Sequence, residues 1–172
     1  MAHHHTLFGQ MLQLIPRFEF DKLVDKHHAE RHARGFTSWQ QFGGMLFGQM
    51  AGQDSLRSIV AGLATHSTSL YHLGIRPLKR STLAYANEHR PAELYADLFT
   101  LLLSKCQSVA PRHKFRFKNP LYSLDATTIE LCLSLHDWAT FRATKGAVKL
   151  HVKLNHAGYL PTFATMTTGR VH

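Results

Sequence analysis

The first two thirds of the chain carry apolar residues at every third or fourth position, which is the spacing of one helix face. The pattern predicts a first helix around Leu7, Met11 and Leu14 that ends at Pro16, because proline cannot continue a helix. It predicts a second helix over residues 18–32. The chain therefore begins as an all-α region.

Four more helices are expected before residue 111, and three of them begin at candidate capping residues. Thr37 and Ser38 are candidate N-caps of a helix whose glycines, Gly43 and Gly48 among them, lower helix propensity but allow a second helix to approach closely. The next two helices are predicted from a cap at Asp54 or Ser55 and from a cap at Ser81.

A leucine-rich stretch closes this helical region. Residues 65–77 are rich in Ser, Thr, Gly and Pro, and we predict a loop there. Pro91 suits the first turn of a last helix, whose leucine stripe is typical of a buried core.

The period changes to two in the last third of the chain. Residues 121–131 and 159–168 are predicted strands, and residues 146–155 alternate strictly between apolar and polar groups. The alternation gives that strand one apolar and one basic face. The predicted fold class is therefore α+β, with an all-α N-terminal part followed by the first strands of a sheet.

Length and composition limit the protein class. The 172 residues suffice for one domain or two small ones, and no stretch reaches the roughly 18 apolar residues that a transmembrane helix needs. No secretion leader is visible, and two cysteines fit a reducing cytosol better than a disulfide framework. We predict a cytoplasmic protein without a membrane partner.

The charge points to a polyanion. The formal net charge is +9, and residues 112–172 hold 9 basic residues against 3 acidic ones, whereas residues 1–111 hold 11 against 8. Nucleic acid is the first candidate partner for such a chain, and an acidic membrane surface is the second.

The basic residues also show a pattern. Over residues 112–118, cations alternate with aromatic groups, so an extended segment would place the cations on one side. Ordinary solvated surface charge is the alternative. The basic residues predicted to contact DNA are Lys79, Arg80, Arg112, Lys114, Arg116, Lys118, Lys145 and Lys149.

Two further motifs are weak. His28 and His32 would share a helix face at a spacing able to hold zinc, but Ala29 stands where the metalloprotease motif needs Glu, so surface histidines are the better interpretation. The helices predicted at 55–64 and 80–89 resemble a helix-turn-helix only loosely. Their connection of about 15 residues is far longer than the usual three or four.

Asp125 is the residue that could carry chemistry. It lies inside a β-rich apolar segment, where aspartate is a poor strand former and a buried carboxylate must be paired, hydrogen-bonded or bound to a metal. A carboxylate on a central strand beside a basic groove suits Mg²⁺-dependent phosphoryl transfer. The alternative is an aspartate on an edge strand or in a cap.

Taken together, several segments resemble insertion-sequence transposases of the cut-and-paste DDE type, in the IS-four superfamily. The similarity covers nearly the whole chain. It includes LDATTI, with Asp125, and FRATKGAVKLH, with Lys145 and Lys149. The matching segments are residues 6–10, 36–42, 55–60, 71–74, 79–84, 124–129 and 141–151.

The resemblance implies an RNase H-like catalytic core in which Asp125 is the first catalytic carboxylate. Such enzymes use two aspartates and a glutamate to hold two Mg²⁺ or Mn²⁺ ions, which activate water or a DNA 3′-hydroxyl to attack a phosphodiester at the transposon end. Glu130 and Asp137 lie too early to be the later pair. We therefore expect a truncated catalytic domain that is inactive by itself.

The resemblance also implies an organisation and partners. We expect a helical, DNA-binding domain at 1–78, a helical linker with the basic segment at 79–118, and the beginning of the catalytic domain at 119–172. The expected partner is double-stranded DNA at the terminal inverted repeats, bound by a homodimer at the bacterial nucleoid. The alternative function is a non-catalytic DNA-binding module or an inhibitor of transposition.

Overall fold

The chain folds into helices followed by a sheet, which confirms the α+β class. The computed structural model describes residues 6–31, 33–109, 119, 121–131, 140–142, 145–156 and 160–168. It divides into two units, Met1–Phe99 and Thr100–His172. The functional division at residues 78 and 118 stays a prediction.

Helices make up the first unit, and the last of them continues into the second. Their bounds are α1 Leu7–Gln13, α2 Arg17–Lys26, α3 Ser38–Met50, α4 Leu56–Thr65, α5 Ser67–Leu70, a 3-10 turn Tyr71–Leu73, α6 Arg80–His89 and α7 Glu93–Val109. Among the described helices, none is long and apolar enough to cross a membrane.

Two helix starts follow from their capping residues. The Thr37 hydroxyl accepts a hydrogen bond from the Gln40 backbone N–H at 3.2 Å, and the Gln40 side chain accepts one from the Thr37 N–H at 3.2 Å. Ser55 and Ser58 form the same reciprocal pair at the start of α4. Each box satisfies two backbone donors that the first helical turn leaves free. Of the alternatives considered, Thr37 and Ser55 are the caps.

Three expectations about the helices are wrong. Helix α2 ends at Lys26 rather than at residue 32, because the chain turns at His28, whose φ is 50°. His28 therefore lies beyond the end of the helix, and the other member of the expected zinc pair, His32, lies outside the described residues. The stretch 65–77 is not all loop, since α5 and the 3-10 turn lie within it. Helix α6 has Lys79, not Ser81, at its N-cap position.

The glycines of α3 do allow close approach, as predicted. A Cβ atom at Gly48 would lie 2.5 Å from Ile59 Cδ1, and one at Gly43 would lie 2.5 Å from Ile75 Cδ1. Both isoleucines are buried. The missing side chains thus leave the space into which neighbouring residues pack.

An aromatic cluster joins three helices of the first unit. The Phe20 ring meets Trp39 edge to face at a centroid distance of 5.3 Å, and Phe42 stacks on Tyr95 at 6.4 Å. The Trp39 indole Nε1 donates to the Leu73 carbonyl at 2.9 Å. Burial and edge contacts of this kind stabilise α2, α3 and α7 against one another.

The second unit contains an antiparallel sheet of four described strands, β1 Tyr122–Leu131, β2 Thr140–Arg142, β3 Lys145–Asn155 and β4 Leu160–Thr168. Strand β3 pairs with each of the others. The three predicted strands are confirmed, whereas the short β2 was not predicted.

The register of β1 against β3 separates two faces. Directly opposed residues of antiparallel strands share a face. One face is largely apolar on β3, with Ser123, Asp125, Thr127 and Ile129 opposite Leu154, Val152, Leu150 and Val148. The other face is basic on β3, with Tyr122, Leu124, Ala126 and Thr128 opposite Asn155, Lys153, His151 and Lys149.

Candidate nucleic-acid interface and carboxylate site

Asp125 lies on β1 directly opposite Val152, on the face that carries the apolar side chains of β3. Its side chain is exposed, and within the described residues β1 pairs only with β3. The expectation of a buried carboxylate on a central strand is therefore wrong. The geometry is that of the alternative, an aspartate on an edge strand. Its catalytic role stays a prediction that rests on the resemblance.

The groups around Asp125 are of the chemical type that Mg²⁺ binds, but they are too few to form a complete site. Ser123 and Thr127 place hydroxyls on the same face, and oxygen donors are what Mg²⁺ prefers. The Ser123 hydroxyl is already hydrogen-bonded to His156 Nε2 at 2.5 Å. No group of three His, Cys, Asp or Glu side chains able to hold a metal occurs in the described part of the chain. Asp125 would thus supply one ligand of an incomplete set.

The predicted DNA contacts fall in three places. Lys79 and Arg80 are exposed at the start of α6. Lys149 lies half-buried on the basic face of β3, and Lys145 is the first residue of that strand. The other four predicted contacts lie outside the described residues, namely Arg112, Lys114, Arg116 and Lys118.

The basic face of the sheet also carries aromatic and apolar groups. Lys153 Nζ lies 4.1 Å from the centre of the Tyr122 ring, a cation–π contact. His151 Nε2 and the Thr167 hydroxyl lie 2.8 Å apart. Leu124 is 72 % exposed on the same face. This face therefore carries cationic and aromatic side chains next to one another.

A basic cleft in the first unit was missed by the sequence analysis. Its cavity of about 580 Å³ lies between the segment after α2 and the outer face of α6. We call it the arginine cleft and define it by His28, Arg31, Arg34, Tyr85, His89 and Arg90. The two sides are more than 50 residues apart in the sequence, so no local pattern indicates the cleft.

Hydrogen bonds from Arg90 connect the two sides of the arginine cleft. Its guanidinium donates to the Thr37 carbonyl and the Gln41 amide oxygen, each at 3.0 Å, and to the Phe36 carbonyl. Burial lowers the pKa of Arg90, while the nearby Glu30 carboxylate and Tyr95 oppose that shift. Because these three hydrogen bonds join α6 to the start of α3, we assign Arg90 a structural role here.

Two side chains on α7, Asp97 and Tyr95, have shifted pKa values. Hydrogen bonds from Lys26 at 2.6 Å and from His27 at 2.8 Å lower the pKa of Asp97 from its ordinary 3.8. Burial raises the pKa of Tyr95 to about 12, although Arg90 opposes the shift. Asp97 therefore links the end of α2 to α7 through an ion pair.

Comparison with known proteins gives two matches. Residues 3–76 match a family described as a "Domain of unknown function (DUF4372)". Over 173 aligned positions the chain is 27 % identical to a protein of Geobacillus stearothermophilus named "Probable transposase for insertion sequence element IS5377". The alignment covers 100 % of this chain and 44 % of that protein, so the chain spans less than half of its relative. No solved structure matches.

Proposed function

We propose that the chain is the DNA-binding and first catalytic part of an insertion-sequence transposase. The similarity to the Geobacillus protein carries this proposal, because it extends over the whole chain, helices and sheet alike. The resemblance named from the sequence motifs agrees with it. The proposed ligand is double-stranded DNA at the terminal inverted repeats, bound by a homodimer in the bacterial cytoplasm.

The positive surfaces of both units support this ligand. The exposed Lys79 and Arg80 and the basic face of β3 present cations in separate parts of the chain, and duplex DNA offers phosphates along its whole length. Backbone contacts of this kind position a protein on DNA, whereas base contacts specify the sequence.

For the catalytic part we propose an RNase H-like core that begins with β1. Asp125 lies on the first strand of the sheet, which is where the resemblance expects the first catalytic carboxylate. It would hold one of two Mg²⁺ or Mn²⁺ ions, which in such enzymes activate the attacking oxygen and stabilise the leaving one. Since one carboxylate does not make a two-metal site, we expect a polypeptide of these 172 residues not to cleave DNA by itself.

A non-catalytic role is the second candidate. The absence of a three-ligand cluster among the described residues favours a module that binds transposon ends without cleaving them, or that inhibits an intact transposase. Mg²⁺-dependent nicking of end-containing DNA that disappears in Asp125→Ala would exclude this candidate. Binding without nicking, in the 172-residue chain and in its Asp125→Ala variant, is what both candidates predict, whereas nicking would also contradict the inactivity expected above.

The salt dependence of duplex binding tests the shared premise of both candidates. Each neutralised phosphate contributes about −0.9 to the slope of log K against log salt, so four contacts give about −4. The double variant Lys79→Ala with Arg80→Ala should lower that magnitude by about 2. The matched control removes two exposed cations elsewhere, Arg57 and Lys105. Absent or salt-independent binding contradicts the proposal.

A further inference from the structure

We propose that the arginine cleft binds one unpaired nucleotide of a DNA strand, with its phosphate between Arg31 and Arg34 and its base on the Tyr85 ring. The inference rests on the proposed function, because it assumes that the chain binds DNA. It goes beyond it by assigning a single-stranded subsite to residues outside the predicted DNA contacts.

Charge is the first argument. Among the described residues that line the cleft are three arginines and two histidines but no carboxylate. Arg90 uses its donors within the fold, but Arg31 and Arg34 are exposed, and neither forms an ion pair with any described acidic residue. Two free guanidiniums at a concave site are suited to a phosphodiester, which they can bind through paired hydrogen bonds.

The second argument is the aromatic pair on α6. The rings of Tyr85 and His89 stack with a centroid distance of 3.9 Å and an interplanar angle of 16°. The His89 ring is held in place, because its Nδ1 lies 2.9 Å from the Tyr85 carbonyl oxygen. His89 covers one side of the Tyr85 ring, yet Tyr85 remains 64 % exposed. A base can stack on the open side, as bases do on aromatic residues in single-strand sites.

Size is the third argument. A cavity of about 580 Å³ lies within the range of small-ligand sites, so it accommodates a nucleotide but not a base pair with two backbones. Thr82 also lines the cleft, and Thr82, Tyr85 and His89 recur at helical spacing on α6. The predicted contact Lys79 is the N-cap residue of the same helix, three residues before Thr82.

Fluorescence anisotropy with the 172-residue chain tests the proposal. The probes are a labelled oligo-dT strand and a blunt duplex, with dTMP and inorganic phosphate as competitors. We expect Tyr85→Ala to weaken single-strand binding about 5- to 150-fold, the cost of losing one stacked base, while Tyr85→Phe retains it. Duplex binding should change less than threefold. Circular dichroism melting of each variant verifies folding, which these exposed positions should not disturb.

The arginines are tested separately. Arg31→Ala with Arg34→Ala should weaken single-strand binding and reduce the magnitude of its salt slope by about 1.4, as expected for two single-strand phosphate contacts. The control variant, Arg57→Ala with Arg76→Ala, removes two exposed arginines that do not line the cleft. It should leave unchanged the ratio of the single-strand affinity to the duplex affinity.

The outcomes separate this inference from the proposed function. Weaker single-strand binding by the cleft variants, but not by the control variant, supports the single-strand subsite. Three results would overturn the subsite while duplex binding persists. They are an equal loss of single-strand affinity in the control variant, an unchanged single-strand affinity in Tyr85→Ala, and binding of dTMP as tight as that of the strand. If neither strand nor duplex binds, the proposed function fails as well.

Discussion

Asp125 and Val152 are direct cross-strand partners in the β1–β3 ladder, so an exposed carboxylate shares a sheet face with apolar side chains. Aspartate is depleted in strands because its short polar side chain does not pack on a pleated surface. No described neighbour forms an ion pair with it. We therefore expect the Asp125 carboxylate to contribute little to the stability of the sheet.

Replacing this carboxylate should stabilise the sheet. Asp125→Thr is expected to raise the free energy of opening by about 0.5–1 kcal/mol, since the range of strand preferences is about 1 kcal/mol. Amide hydrogen exchange along β3 measures the change. The matched control is Thr127→Asp, which places a carboxylate two residues along the same face, opposite Leu150, and should destabilise by a similar amount. A loss of protection in Asp125→Thr would instead show a structural role.

Close packing at Gly48 gives the second prediction. A methyl group there would meet Ile59 Cδ1 at 2.5 Å and Cγ1 at 2.7 Å, so Gly48→Ala should destabilise the helical unit by about 1–3 kcal/mol. In the control Gly44→Ala the nearest atom, Leu63 Cδ1, is 3.5 Å away, and helix propensity favours alanine by up to about 1 kcal/mol. Urea unfolding followed by far-UV circular dichroism compares them. Equal effects would contradict the packing.

Arg90 supplies the third prediction. Lysine keeps the charge but cannot reach the Phe36, Thr37 and Gln41 oxygens together, so Arg90→Lys should cost about 1.5–3 kcal/mol of unfolding free energy. The exposed Arg57→Lys should stay within about 0.5 kcal/mol of the wild type. Chemical denaturation measures both. If Arg90→Lys lowers the unfolding free energy no more than its control does, the hydrogen bonds of Arg90 do not stabilise the cleft.

The Asp97 ion pair predicts a pH dependence. Its folded pKa lies below the ordinary 3.8, so the carboxylate stabilises the fold above that value and loses the contribution as the pH falls through the folded pKa. The stability difference between the wild type and Asp97→Asn should therefore be full at pH 5 and shrink below about pH 4. Thermal unfolding between pH 5 and pH 2.5 measures it. A difference that persists at the lowest pH would be the opposite result.

Local patterns predicted much of this fold. Strand β3 follows from strict alternation, and β1 follows from a β-rich apolar segment. Thr37 and Ser55 cap helices through hydrogen bonds to residues only three positions further along the chain. Short elements such as α5 and β2 were missed because three or four residues show no period. The end of α2 was misplaced, since the turn at His28 leaves no clear signal in composition.

The functional surfaces were less predictable, because they depend on distant parts of the chain. Arg90 reaches Phe36 and Thr37 across more than 50 residues, and the arginine cleft is lined by residues from both of these parts of the chain. Asp125 was correctly singled out as an unusual strand residue. Its exposure could not be foreseen, because burial depends on which strands pair and what covers each face.

Selective recognition of the transposon end is the decisive test of the proposed transposase function. The measurement is the equilibrium affinity of the chain, at one fixed salt concentration, for duplexes carrying the inverted repeats that flank its gene and for scrambled duplexes of the same composition. We predict that the repeats bind about 10³-fold more tightly or better, the lower end of the range for specific DNA-binding proteins. Equal affinity for both duplexes, or no binding to either, would show that the proposed function is wrong.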